Sequence, residues 1–158
     1  QFYSSQGERN GAPVVIKINV TTGEEVGVLL DGKALGIDFS DYSFNADESK
    51  ALLATDVEPI YRRSSKGIFY VVDMATGQKQ QLMKGEKISY ATLSPDNTKV
   101  AFVKDNNLYM SDLTNNATTQ LTQDGEANRI INGAADWVYE EEFACRDGFR
   151  FWRCPMVS

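Results

Sequence analysis

Three times along the chain a run of strand-forming residues ends on Asp or Asn and then breaks into a short turn. Val14-Val15-Ile16-Lys17-Ile18-Asn19 runs into Val20-Thr21-Thr22-Gly23, and Ile68-Phe69-Tyr70-Val71-Val72-Asp73 runs into Met74-Ala75-Thr76-Gly77. Asn107-Leu108-Tyr109-Met110-Ser111-Asp112 runs into Leu113-Thr114-Asn115-Asn116. Asx side chains bond to nearby backbone amides, and Gly or Asn tolerates left-handed angles, so each copy predicts a strand, a tight reversal and a returning strand. No stretch sustains the i, i+3, i+4, i+7 spacing of a helix over several turns. The expectation is an all-β chain.

A second unit repeats between these hairpins. Tyr42-Ser43-Phe44-Asn45-Ala46-Asp47-Glu48-Ser49-Lys50-Ala51-Leu52-Leu53 matches Tyr90-Ala91-Thr92-Leu93-Ser94-Pro95-Asp96-Asn97-Thr98-Lys99-Val100-Ala101 when Tyr42 is set against Tyr90. The interval is that of one four-stranded blade, so the pattern predicts a partial β-propeller of about two to three blades. A β-sandwich spaces its strands similarly, and the pattern alone leaves it open. So few blades cannot close a ring, which predicts exposed blade edges and self-association through them.

Composition narrows the function classes. A net charge of −6 with scattered basic residues excludes a nucleic-acid backbone as the expected partner. No apolar run approaches the roughly 18 residues of a membrane span. The chain has no histidine, the usual proton carrier near neutral pH, so it cannot assemble a serine-peptidase triad. Two cysteines, Cys145 and Cys154, are too few for a disulfide framework and read as free thiols. No cofactor and no metal site is expected.

The most unusual segment is Asp136-Trp137-Val138-Tyr139-Glu140-Glu141-Glu142-Phe143. Asp136 suits a helix N-cap, and acids in the first turns suit the positive end of the helix dipole. One reading is therefore a capped, solvated helix start. The other is a receptor for an ammonium group, because adjacent carboxylates are costly to hold together without a cation between them.

This segment, preceded by Asn132-Gly133, resembles the double-glutamate motif of the dipeptidyl peptidase IV family of prolyl oligopeptidase-like serine peptidases. Ile60-Tyr61-Arg62-Arg63-Ser64, Phe69 to Asp73, Ala91 to Asp96 and Lys99 to Val103 resemble the same family in the same order. The resemblance implies an eight-bladed propeller followed by an α/β-hydrolase domain with a Ser, Asp and His triad. It implies that Glu141 and Glu142, matching the second and third acids of the run, bind the free N-terminal amine of a peptide. Arg62 matches the arginine that holds the peptide carbonyl, although Arg63 beside it is equally available from pattern alone. Glu140 carries over no ligand contact.

The expected domains are residues 1–150 as the N-terminal part of a propeller, with the hydrolase domain absent and residues 151–158 an aberrant, frameshifted tail. Gly-x-Ser-x-Gly, the nucleophile elbow, is not found. The resemblance thus implies a truncated piece of an exopeptidase releasing Xaa-Pro or Xaa-Ala dipeptides, without a catalytic residue of its own, from a periplasmic or secreted parent. A non-enzymatic propeller that binds peptides or proteins is the alternative.

Overall fold

The computed structural model describes residues 1–143 and 147–151, with Trp137 and Phe143 as backbone. Cys145, Cys154 and residues 152–158 of the expected tail lie outside the described residues. The chain divides into two compact units, residues 1–41 and 42–158.

The first unit is a three-stranded antiparallel meander of β1 (Phe2–Arg9), β2 (Ala12–Asn19) and β3 (Glu25–Asp31). Val14, Val15, Leu30, Ile37 and Phe39 are its buried apolar residues. A single-turn helix, α1 (Gly32–Leu35), follows, because Asp31 Oδ1 accepts from the amides of Lys33 and Ala34 at 2.9 and 3.2 Å. Strand β1 is polar and almost wholly exposed, and no alternation in its sequence announces it. It is held in place by an eight-residue register against β2.

The second unit is one antiparallel sheet built from two consecutive meanders. The first comprises β4 (Asp41–Phe44), β5 (Lys50–Pro59), β6 (Ser65–Asp73) and β7 (Lys79–Gln81). The second comprises β8 (Ile88–Leu93), β9 (Lys99–Lys104), β10 (Asn107–Asp112) and β11 (Thr118–Gln120). The two join where β6 pairs through Lys66 and Gly67 with Ser89 and Ile88 of β8. A seven-residue helix, α2 (Trp137–Phe143), lies beyond β11.

The recurring turns form as their chemistry predicts. The amides of Asn19, Asp73 and Asp112 donate to the carbonyls five residues on, at 2.9, 2.9 and 2.8 Å. Their side-chain oxygens accept from the amides of Thr21, Ala75 and Thr114. The fourth residue on is left-handed each time, Gly23, Gly77 and Asn116 at φ 70°, 69° and 58°, which is why Gly or Asn stands there.

The other repeat also holds, but with its alignment shifted. Asn45 and Ser94 both accept from the amide three residues on and exchange bonds with Lys50 and Lys99, five residues on. Asn45 therefore corresponds to Ser94, a spacing of 49, so Tyr42 is not the counterpart of Tyr90. The extra residue sits in a bulge of β8, where Ser89 faces Val103 and Thr92 faces Ala101. Tyr90 takes φ 57° inside that bulge.

Strands β5 and β9 depart from simple alternation. Ala51 to Ala54 and Val100 to Val103 are buried on both faces, as befits strands in the middle of the sheet. Leu52, Val71, Leu82, Ile88, Val100 and Phe102 form one cluster joining the two meanders. Phe102 faces Tyr109 across the strands, with ring centroids 5.7 Å apart and planes within 3°.

Candidate functional site

Two segments distant in sequence meet at the site. One is the Ile60–Ser64 turn between β5 and β6, closed by the amides of Ile60 and Tyr61, which donate to the Ser64 carbonyl at 2.8 and 3.3 Å. The other is α2, capped by Asp136, whose Oδ1 accepts from the Tyr139 amide at 3.0 Å. The expected Asp136 cap is present, but the run is not a solvated helix start, because Glu140 is buried.

The chain reaches α2 from β11 along a path fixed by Asn107. This side chain, 8% exposed at the start of β10, accepts at Oδ1 from the Gly125 amide at 3.0 Å and the Thr122 hydroxyl at 3.1 Å. Its Nδ2 donates to the Asp105 carbonyl at 3.2 Å. A Cβ on Gly125 would overlap the Asn106 carbonyl, so only glycine fits this approach. Farther on, the Asn132 amide donates to the Asn106 carbonyl at 2.9 Å, and Asn132 Nδ2 donates to Asp124 Oδ1 at the same distance.

The three acids of the run point to different surroundings, since neighbouring helical residues diverge by about 100°. Glu140 is wholly buried, Glu141 has a side chain 19% exposed, and Glu142 is exposed. Arg62 Nη1 lies 3.7 Å from Glu141 Oε2, and the Arg62 side chain stands 77% exposed. That separation is an ion pair longer than a hydrogen bond, which leaves both groups able to accept another partner. Arg63 contributes differently. Its backbone N–H, not its guanidinium, donates to Glu140 Oε1 at 2.8 Å.

The structure thus brings Arg62 and Glu141 together, with Glu142 adjacent on α2. Pattern alone missed Glu140 and Asn107, whose work is done through backbone amides that carry no residue-type signal. Among the described residues no grouping of His, Cys, Asp and Glu is arranged to hold a metal ion. Chemically, Glu141 offers a carboxylate to a cation and Arg62 a guanidinium to an oxygen acceptor.

Comparison with known proteins gives this arrangement a family. Prolyl endopeptidase FAP of Bos taurus is 30% identical over 155 residues, covering 96% of this chain and 20% of its own. Dipeptidyl aminopeptidase A of Saccharomyces cerevisiae is 31% identical over 130 residues, covering 74% of this chain and 14% of its own. Among solved structures, dipeptidyl peptidase 4 of Porphyromonas gingivalis superposes with a TM-score of 0.80 at 30% identity, over 91% of this chain and 21% of that one. The tricorn protease, at 13% identity and a TM-score of 0.50, shares the fold alone. The chain spans about a fifth of the length of the first of these relatives. A family model described as the dipeptidyl peptidase IV N-terminal region matches residues 45–153, and this chain belongs to that family.

Proposed function

We propose that this chain is the substrate-recognising portion of the β-propeller of a dipeptidyl peptidase IV-like serine exopeptidase. In this reading each four-stranded meander of the second unit is one blade, and α2 is the short helical excursion that carries the double-glutamate motif. Glu141 and Glu142 receive the free N-terminal ammonium of the peptide, and Arg62 holds a backbone carbonyl near it. Binding both fixes how far the peptide can enter, which restricts release to dipeptides of the Xaa-Pro or Xaa-Ala kind. The hydroxyl nucleophile, the imidazole base and the pocket around them come from a hydrolase domain of the parent protein, exported to the periplasm or secreted.

The observation that carries this reading is the approach of Arg62 to Glu141, because two segments 79 positions apart in the numbering converge there without need for a stabilising role. An ion pair at that distance whose arginine is mostly exposed contributes about 0–1 kcal/mol to folding. Its charge is better matched to a ligand with an ammonium and a carbonyl.

The test is steady-state kinetics on a full-length protein carrying this segment, with a free-amine Xaa-Pro substrate and its N-blocked analogue. Glu141→Gln and Glu142→Gln each replace a charge-assisted bond by a neutral one, at a cost on the order of 1.5–3 kcal/mol. That is roughly ten- to hundredfold in kcat/KM for the free-amine substrate, with little change for the blocked one. Equal losses on both substrates would reject the ammonium role.

A further inference from the structure

Glu140 is the acid that the recognition reading does not use, and its surroundings are the least expected in the run. It is wholly buried, with Oε1 accepting from the Arg63 N–H at 2.8 Å. Its Oε2 is also buried and has no partner among the described residues, as is true of Ser64 Oγ. Burying a carboxyl with one oxygen unsatisfied works against folding, and an apolar side chain of similar size would serve packing better. Stability alone therefore gives no reason for a glutamate here.

Position does give one. The Ile60–Ser64 turn closes on itself through the Ser64 carbonyl, so its own bonds fix its shape but not where its tip rests. The Arg63 amide lies next to Arg62, and the bond from Glu140 ties that tip to the helix bearing Glu141. A long, mostly exposed guanidinium side chain samples many rotamers, so the place of its backbone decides how many of them reach Glu141.

We propose that Glu140 is a positioning residue, whose carboxyl grips the Arg63 amide and so holds the Arg62 guanidinium beside Glu141. This rests on the reading of Arg62, Glu141 and Glu142 given above. Glu140 touches no substrate. It sets the distance between the group that takes the peptide carbonyl and a group that takes the ammonium, and so acts on substrate binding rather than on turnover.

The experiment compares Glu140→Leu, Glu140→Gln and Glu140→Asp with Glu141→Gln in a full-length protein carrying the segment, on a free-amine Xaa-Pro substrate. Glu140→Leu removes the acceptor and should raise KM roughly tenfold with kcat within about twofold of the parent. Glu140→Gln keeps an acceptor oxygen at the same reach and should restore KM. A merely structural role would lower the amount of active enzyme, and hence apparent kcat, at unchanged KM. A parental KM in Glu140→Leu, or a Gln variant as impaired as the Leu variant, overturns the proposal. Should Glu140→Leu fail to fold, Glu140→Asp carries the test: its shortened carboxylate should raise KM, and a parental KM sinks the idea. A lowered kcat/KM in Glu141→Gln beside a parental KM in the Glu140 variants would reject this inference alone. An unchanged kcat/KM in Glu141→Gln would reject the recognition reading and this inference with it.

Discussion

Asn97 Nδ2 donates to Asp47 Oδ2 across 2.8 Å, joining the turn of the second meander to the equivalent turn of the first. The same nitrogen lies 3.3 Å from Ser49 Oγ. Two copies of one turn are thus stapled to each other, and the staple depends on Asn97 being in the left-handed region at φ 61°. Its counterpart in the first meander, Glu48, sits at φ 57° with a side chain ill suited to that conformation.

That asymmetry makes a prediction in each direction. Glu48→Asn should stabilise the chain by about 1 kcal/mol, because Asn tolerates left-handed angles and Glu48 is exposed. Asn97→Ala should destabilise more than Asn97→Gly, by about the same amount, since both lose the staple and only Ala keeps the backbone strain. Urea unfolding midpoints of the three variants decide the matter. A Glu48→Asn midpoint at or below that of the parent would be the wrong sign.

Acid should loosen turns of both kinds. Bonds from the Thr76 amide and hydroxyl, with Lys50 in support, hold Asp73 down from its ordinary 3.8 to about 2. Asp96 is likewise held at about 2, first by the Ser94 hydroxyl and then by the Thr98 amide and hydroxyl. A carboxyl whose value is lowered by folding contributes stability that is complete above the unfolded value. That contribution is lost as the pH falls through the folded one, here between about 4 and 2. Asn can still accept in such a turn, as Asn19 does from the Thr21 amide at 2.8 Å. Asp73→Asn and Asp96→Asn should therefore show a stability deficit at pH 6 that shrinks toward pH 2. A deficit of constant size in urea titrations across that range would mean the carboxylate charge is not its source.

What the sequence reveals here is local chemistry. The three Asx reversals and the Asp136 cap are legible, because each side chain bonds to backbone within three residues of itself. What stayed hidden depends on neighbours far along the chain. The bulge at Tyr90 shifts the repeat by one residue without leaving a turn signature. The polar strand β1 exists through its pairing with β2. The inward turn of Glu140 depends on which face of α2 meets the Arg63 loop, and Arg63 acts there through an amide that any residue but proline would supply.

Phe102 is the largest of the wholly buried side chains that link the two meanders. Truncating it removes the transfer free energy of a full ring and leaves a cavity under β9, so Phe102→Ala should cost about 3–5 kcal/mol. The stacked contact with Tyr109 accounts for roughly 0.5–1.5 kcal/mol of that. A double-mutant cycle with Tyr109→Leu, read by denaturant unfolding, separates the two contributions. A coupling energy near zero would show that the parallel rings merely share a face.

The path to α2 offers the last test, because it links a buried polar residue to the geometry of the candidate site. Asn107→Ala leaves the Gly125 amide and the Thr122 hydroxyl without their acceptor, a loss of about 1 kcal/mol, at the low end because both groups are half-buried. Asn107→Asp keeps both acceptor roles but turns a carboxylate oxygen toward the Asp105 carbonyl in a nearly buried site, so it should keep the Gly125 amide protected while still lowering stability. Amide hydrogen exchange locates the effect. In Asn107→Ala the Gly125 amide should exchange faster while core amides of Leu53 and Val72 stay protected, which distinguishes local release from global unfolding. If the 121–136 connection sets where α2 sits, the Arg63 amide should lose protection in the same variant, since its acceptor, Glu140, is on that helix. Faster exchange at Gly125 with Arg63 unchanged would mean that α2 is held against the Arg62 turn by its own contacts, independently of the route by which the chain arrives there.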